Sequence, residues 1–502
     1  MSVKKSWAAC IVLLAIVGTM LFLFRNDESS NMFYADDDAA ETIYIWYTDE
    51  ALTDYINSAA VEYKELYGVR VVPSYHSGLE YLEEINAASV SGNEAPDLYI
   101  IGTDSIERAA LAGLSIPVID SKNILSYMYY PEVAINSVTY SDEKFGYPFY
   151  YETAYLLYNL SYLEAIADST LRDELNLSTS ENSISENQAD SSEDGTSEGE
   201  GEIAAQITSS DEPPEGYTAE EWKAIVDARV QEMIPSSIED ILDFANEYST
   251  PEGVENIFVW DVSDIFYNYF FAGAYMNVGG IYGDDASIIN IYNENTVACM
   301  QVYQGLNQFF SIDASESSYQ DVLATFLDGK TIFTIATSDA LATIDMAQFE
   351  GTFVWEYSVA PLPGVDSEHQ ATGLSSTSAV LINGYTTNRA AADSFASFLT
   401  HEYIDTFFTR TGKLPVYNGT DDYITDATDL VRNMYKQSVP LPKLLTMSNF
   451  WLELETAYTL IWEGNDVGET LMQLQVKMGG PAEMITEQSV SENSVSEPEG
   501  EN

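Results

Sequence analysis

The stretch GYPFYYETAYLLYN, residues 146–159, sets five tyrosines and a phenylalanine around a single carboxylate, Glu152. Rings in such density either pack as the core of a strand or form a surface for a flat, hydroxylated solute, with the carboxylate accepting its hydrogen bonds. Other carboxylates stand in pairs, Asp49 with Glu50 and Asp261 with Asp264, and a pair sharing one cleft could serve as acid and base on a glycoside. With 81 acidic residues in the chain, chance pairs are expected, so they carry little weight alone. The remaining chemistry is sparse. His76, His369 and His401 are scattered without the spacing of metal ligands, so neither a metal site nor a cofactor is expected. The segment DGKT, 328–331, is not a phosphate loop, because Ala324 stands where the leading glycine belongs. No Gly-x-Ser-x-Gly nucleophile elbow occurs.

The elements that would position these residues read as α/β. In TIYIWYT, Ile43 and Ile45 alternate with Tyr44 and Trp46 as in a short strand. Leu52, Tyr55, Ile56, Ala59, Tyr63 and Leu66 then recur at helical spacing up to Gly68, a natural stop. VRVVPSY predicts a second strand, residues 79–91 a second helix and PDLYII a third strand; this alternation implies a parallel sheet covered by helices. Thr218-x-x-Glu221 has the capping-box pattern of a helix start, SIEDILDFANEY predicts another helix, and IFVW a strand running into Asp261.

At 502 residues the chain is too long for one compact core, so two lobes or more are expected. A formal charge of −62 repels nucleic acid and anionic lipid. Part of that charge sits in two low-complexity acidic tracts, an insertion at 177–216 and a tail at 481–502, whose composition predicts disorder. The two cysteines, Cys10 and Cys299, give no intramolecular disulfide. Lys4 and Lys5 precede nineteen largely apolar residues, 6–24, before Arg25 and an acidic stalk at 26–41. That length suits an uncleaved anchor, residues 1–25, which would leave the rest of the chain at the outer face of the cytoplasmic membrane. A lipoprotein signal at Ala8-Ala9-Cys10 and a cleaved signal peptide are the rivals.

Seven stretches, taken in order, carry a resemblance: IYIWYTDE; EAPDLYIIGTDSIERAALAGL; FGYPFYYETAYLLYN; ATFLDGKTIFTIATSDAL; YSVAPLPG with GLSSTSAVLING; FFTRTGKLPVYNG; and MSNFWLELETAYTLIWEG. Together they resemble the extracellular solute-binding proteins of ABC importers, in the sugar-binding branch that includes maltodextrin-binding protein. The resemblance spans most of residues 42–480 outside the acidic insertion. It implies an α/β, two-lobed periplasmic-binding-protein-like fold of type II, with discontinuous lobes closing about a hinge. Lobe 1 would hold 42–147 plus 362–412 and lobe 2 would hold 148–361 plus 413–480, with crossovers near 147–151, 362–364 and 412–417.

The resemblance also implies a site. Glu152 matches a cleft glutamate that accepts hydrogen bonds from sugar hydroxyls; the bland alternative is a surface or ion-paired glutamate. Trp451 matches a tryptophan on which a sugar ring stacks, against the alternative of a core ring. Trp46 ends the first strand at the cleft edge. Asp104 matches an acidic cleft position or, more plainly, a helix cap. Tyr151 flanks Glu152, Tyr267 and Tyr269 fall near a second-lobe aromatic site, and Asp49 is a weaker candidate. Where the branch often has an aromatic, this chain has Ala336-Thr337-Ser338-Asp339, which argues against maltodextrin itself. The implied partners are a carbohydrate, permease subunits and the membrane, with no nucleic acid and a monomeric chain. A cell-surface carbohydrate-active enzyme and an anchored sugar sensor are the alternatives.

Overall fold

The computed structural model describes residues 41–480 apart from 79, 93–94, 176–211, 311, 313–317, 420–424 and 448. The anchor or signal expected at 1–25, the stalk up to residue 40, the tail at 481–502 and the insertion up to residue 211 lie outside the described residues. The insertion's far end differs from the expectation that it runs to 216. Arg172 Nη2 donates to the Glu212 carbonyl at 3.0 Å, and the Tyr217 N–H closes a turn on the Pro214 carbonyl at 3.1 Å. Adjacent prolines at 213 and 214 restrict the chain there and make that turn cheap in entropy. Among the described residues no helix is long and apolar enough to cross a membrane.

The strands in chain order are β1 (Thr42–Tyr47), β2 (Arg70–Tyr75), β3 (Leu98–Gly102), β4 (Thr139–Tyr140), β5 (Glu143–Lys144), β6 (Gly146–Asn159), β7 (Asn256–Phe258), β8 (Thr331–Thr337), β9 (Tyr357–Ala360), β10 (Leu374–Ile382), β11 (Leu414–Pro415) and β12 (Val439–Pro440). The main sheet runs β2-β1-β3-β10-β6-β8-β7, with β9 and β11 paired to β6 and β12 to β10. As the alternation of strands and helices predicts, β1, β2 and β3 are parallel. The next strand, β10, returns antiparallel to both β3 and β6.

The fold is two-lobed, and β6 serves both lobes. Its first half pairs with β10 and β11, whereas from Ala154 to Asn159 it pairs with β8 and β9. The change of partners therefore falls at Thr153/Ala154, inside a continuous strand and beyond the stretch 147–151 where a crossover was expected. A bulge opposite Ser378/Ala379 accommodates Pro148, which has no N–H to give to the ladder.

One core, built from Leu156, Tyr162, Trp222, Trp260, Phe271, Tyr303 and Trp462 among others, fills the second lobe. Another, from Ile45, Tyr55, Phe149 and Phe395, fills the first and continues under the junction to Phe326 and Leu341. The capping box at Thr218 and Glu221 is present and opens helix Ala219–Met233. The DGKT segment is the turn between helix Tyr319–Leu327 and β8, with Gly329 at φ +71°.

Candidate binding site

Thirteen of the fourteen residues of β6 are buried and Glu152 alone is half-buried. A strand covered on both faces is filled with large side chains throughout, and this answers for most of the tyrosines. Tyr151 lies flat on Tyr435, ring centroids 3.9 Å apart, in the core. Glu152 instead looks into a cleft of about 460 Å³ at the junction of the lobes.

Six other segments line this cleft, among them Tyr319 at the start of helix Tyr319–Leu327 and Ser376 of β10. Asp264 caps the short turn Ile265–Tyr267 by accepting the Phe266 N–H at 2.8 Å, which fixes Phe266 and Tyr267 at the wall. Asp261 sets up that turn, since its carboxylate accepts from Ser263 N–H at 2.8 Å and from Asp264 N–H at 3.2 Å. The Asn268 amide ties the loop from the other side, donating to the carbonyls of Asp261 and Asp264 at 2.8 Å and 2.6 Å. Helix Phe450–Trp462 supplies Trp451 and, one turn later, Glu455. The end of β8 supplies Thr337, followed by Asp339, and Lys413 enters just before β11.

Two pairs of stacked rings line the cleft. Trp451 lies over Phe266 with centroids 5.8 Å apart and planes at 24°. Tyr267 lies over Tyr319 at 4.6 Å and 22°. Hydroxyls are fixed among them: Tyr319 donates to Asp339 at 3.3 Å, Tyr267 and Thr337 share a 3.3 Å contact, and Thr337 in turn donates to Asp339.

Opposite the rings, the Lys413 ammonium lies 2.9 Å from Asp49, 3.5 Å from Glu152 and 5.2 Å from the Tyr150 ring centre. Burial works against that charge, but Tyr150, Glu152 and Asp49 outweigh it and hold the lysine above its ordinary range. Burial raises Glu152, with Asp339 adding to the rise and Lys413 opposing it. Burial likewise raises Asp264, helped by Asp261, and raises Glu455, helped by Asp264 and Asp261.

The structure thus brings Glu152, Tyr267 and Trp451 to one cleft, with Asp49 tied to it through Lys413. It places four candidates elsewhere. Tyr151 and Tyr269 are core rings, Tyr269 with no exposure at all, because the backbone there points them into the lobes. Trp46 is buried against His76, centroids 3.7 Å apart, within a small cluster of the first lobe. Asp104 lines a separate cavity of about 80 Å³ with Arg108, Lys443 and Trp451; burial raises its carboxyl while Arg108 opposes the rise.

Lys413, Tyr319, Phe266, Thr337, Ser376, Asp339 and Glu455 also line the cleft and were not singled out by sequence. Lys413 lies within GKLPVY and Asp339 within TIATSDAL, so the segments were recognised but their pairing was not. Tyr319 brings a ring to the cleft although no aromatic directly follows β8; it arrives from the start of the preceding helix, which no local pattern reveals.

No protein-family model matches the chain, nor does any curated protein. Among solved structures, it is similar to an extracellular solute-binding protein from Staphylococcus aureus in complex with maltose, at 13% identity and TM-score 0.63, over 88% of this chain and 97% of that one. It is similar to a cyclo/maltodextrin-binding protein complexed with maltotetraose at 17% identity and TM-score 0.63, over 88% and 98% of the two chains. A Thermus thermophilus maltotriose-binding protein bound with maltotriose matches at 17% identity and TM-score 0.58, over 87% and 99%. At these identities the likeness establishes the two-lobed α/β fold that the sequence motifs imply.

Proposed function

We propose that the chain is the extracytoplasmic solute-binding component of an ABC importer of the sugar-binding branch, capturing an oligosaccharide between its lobes for a membrane permease. The observation that carries this reading is the pairing, in one cleft, of two stacked ring platforms with Glu152, Asp264, Asp339 and Glu455. A pyranose has apolar C–H faces that pack on rings and a belt of hydroxyls that carboxylates accept strongly. Buried acceptors also penalise solutes that lack the matching hydroxyl. The similar structures named above hold maltose, maltotetraose and maltotriose, which supports a saccharide for this chain as well. A segment at 1–25 that stays in the membrane would keep such a receptor beside its permease.

Calorimetric titration of the full chain with neutral and charged oligosaccharides tests the proposal. Saturable binding is expected, weakened about thirtyfold or more by Trp451→Ala, with the sugar recovered unchanged. Release of shorter products would instead make the cleft carboxylates an acid–base pair and the chain a carbohydrate-active enzyme. The melting temperature of the variant separates loss of a stacking platform from loss of the fold.

A further inference from the structure

The proposed solute site is short of positive charge. Its lining holds Glu152, Asp264, Asp339 and Glu455, and among the described residues Lys413 is the one basic side chain there. That ammonium is already engaged by Asp49 at 2.9 Å and Glu152 at 3.5 Å, and it lies over the Tyr150 ring. Asp339 is met by the neutral hydroxyls of Thr337 and Tyr319, and Asp264 by the Phe266 N–H. Glu455 contacts no basic group among the described residues, and burial together with Asp264 and Asp261 disfavours its charge. Three carboxylates therefore face the cavity without a counter-ion, inside a chain whose formal charge is −62.

Two further observations say what could balance them. Among the described residues no group of acidic side chains converges tightly enough to hold a metal ion. The carboxylates are instead spread round a cavity of about 460 Å³, room for an organic solute with separated charges. The same cavity is lined by the rings of Trp451 and Tyr319, and aromatic rings attract cations as well as C–H groups.

Resting on the saccharide reading above, we infer that the solute is a cationic saccharide, an oligosaccharide bearing protonated amines that meet Asp264, Asp339 and Glu455 while its ring faces stack on Trp451 and Tyr319.

The test is calorimetry on the full chain at about pH 6, where amines are protonated, with four probes. These are a β-1,4 trisaccharide of glucosamine, its fully N-acetylated counterpart, maltotriose and spermidine. The glucosamine trisaccharide is expected to bind at least about tenfold tighter than either neutral trisaccharide, since an ammonium adds Coulomb attraction that a hydroxyl bonded to the same carboxylate lacks. The double variant Asp264→Asn, Glu455→Gln is expected to weaken the glucosamine trisaccharide at least about tenfold more than it weakens either neutral trisaccharide, which loses hydroxyl contacts but no charge pairing. Asparagine keeps an oxygen for the Phe266 N–H, and an unchanged melting temperature verifies the fold. Neutral trisaccharides that bind as tightly as the amine form would overturn the inference and leave the saccharide receptor standing. Spermidine bound with no saccharide bound would overturn both. Binding of none of the four would overturn the inference together with its premise.

Discussion

Lys413 decides the electrostatics of the cleft, because one ammonium is shared by two carboxylates from different segments. Glu152 is held by that lysine yet still raised, burial and Asp339 together outweighing the attraction. A carboxyl raised on folding binds protons more tightly in the folded chain than in the unfolded one. Its favourable contribution to stability is complete below the ordinary glutamate range and is lost as pH rises through the raised value. Glu152→Gln is therefore expected to flatten the fall in melting temperature between about pH 4 and neutrality, relative to the parent chain. Exposed acids such as Glu174 and Glu221, whose pKa values are lowered by their partners, act with the opposite sign but contribute equally to both chains. Parallel pH curves for parent and variant would mean that Lys413 compensates the charge in full.

Among the elements, the turn before β8 is tightly constrained. Gly329 sits at φ +71°, and a Cβ there would approach the Trp355 ring to within 2.3 Å. Its carbonyl accepts from the buried Tyr162 hydroxyl, so the backbone cannot move aside without breaking that bond. Gly329→Ala is expected to cost about 2–4 kcal/mol in urea unfolding, the sum of left-handed backbone strain and overpacking. A loss below about 0.5 kcal/mol would show that Trp355 can swing away, since surface changes usually fall in that range. Such a turn also delivers function: it sets the start of β8, whose far end carries Thr337 and then Asp339 to the cleft. The glycine that makes DGKT look like a phosphate loop is there for the turn.

For the whole molecule, the acidic insertion is expected to be separable from the fold. Helix Leu160–Glu174 enters the insertion and helix Ala219–Met233 follows it, and the two are pinned together near the exit. Asp168 pairs with Arg172 at 2.7 Å and accepts the Trp222 indole N–H at 2.6 Å, while Arg229 grips Glu174 through two bonds of 2.9 Å. Because contacts among the described residues already hold the two ends together, replacing residues 176–211 with a short Gly-Ser linker is expected to leave the melting temperature within about 2 °C. A larger drop would assign those residues a structural part. Loss of uptake at unchanged stability would assign them a functional one.

Much of the architecture was legible because it rests on local patterns. Alternation in TIYIWYT, helical spacing up to Gly68 and the capping box at Thr218 each depend on residues within a few positions of one another. The order of motifs carried the two-lobed fold, and Glu152, Tyr267 and Trp451, named from motifs, line one cleft. The sequence determined which segments approach the cleft, since strand ends and helix starts are fixed by periodicity, glycine and proline. Only the tertiary structure decided which side chains in those segments face it. β6 is covered on both sides, so its alternation carries no sign of inside and outside, and Tyr151 and Tyr155 vanish into the core beside an accessible Glu152. The partners that complete the site, Lys413 for Glu152 and Tyr319 for Tyr267, lie hundreds or tens of residues away, and contacts at that separation exist only once the lobes have packed.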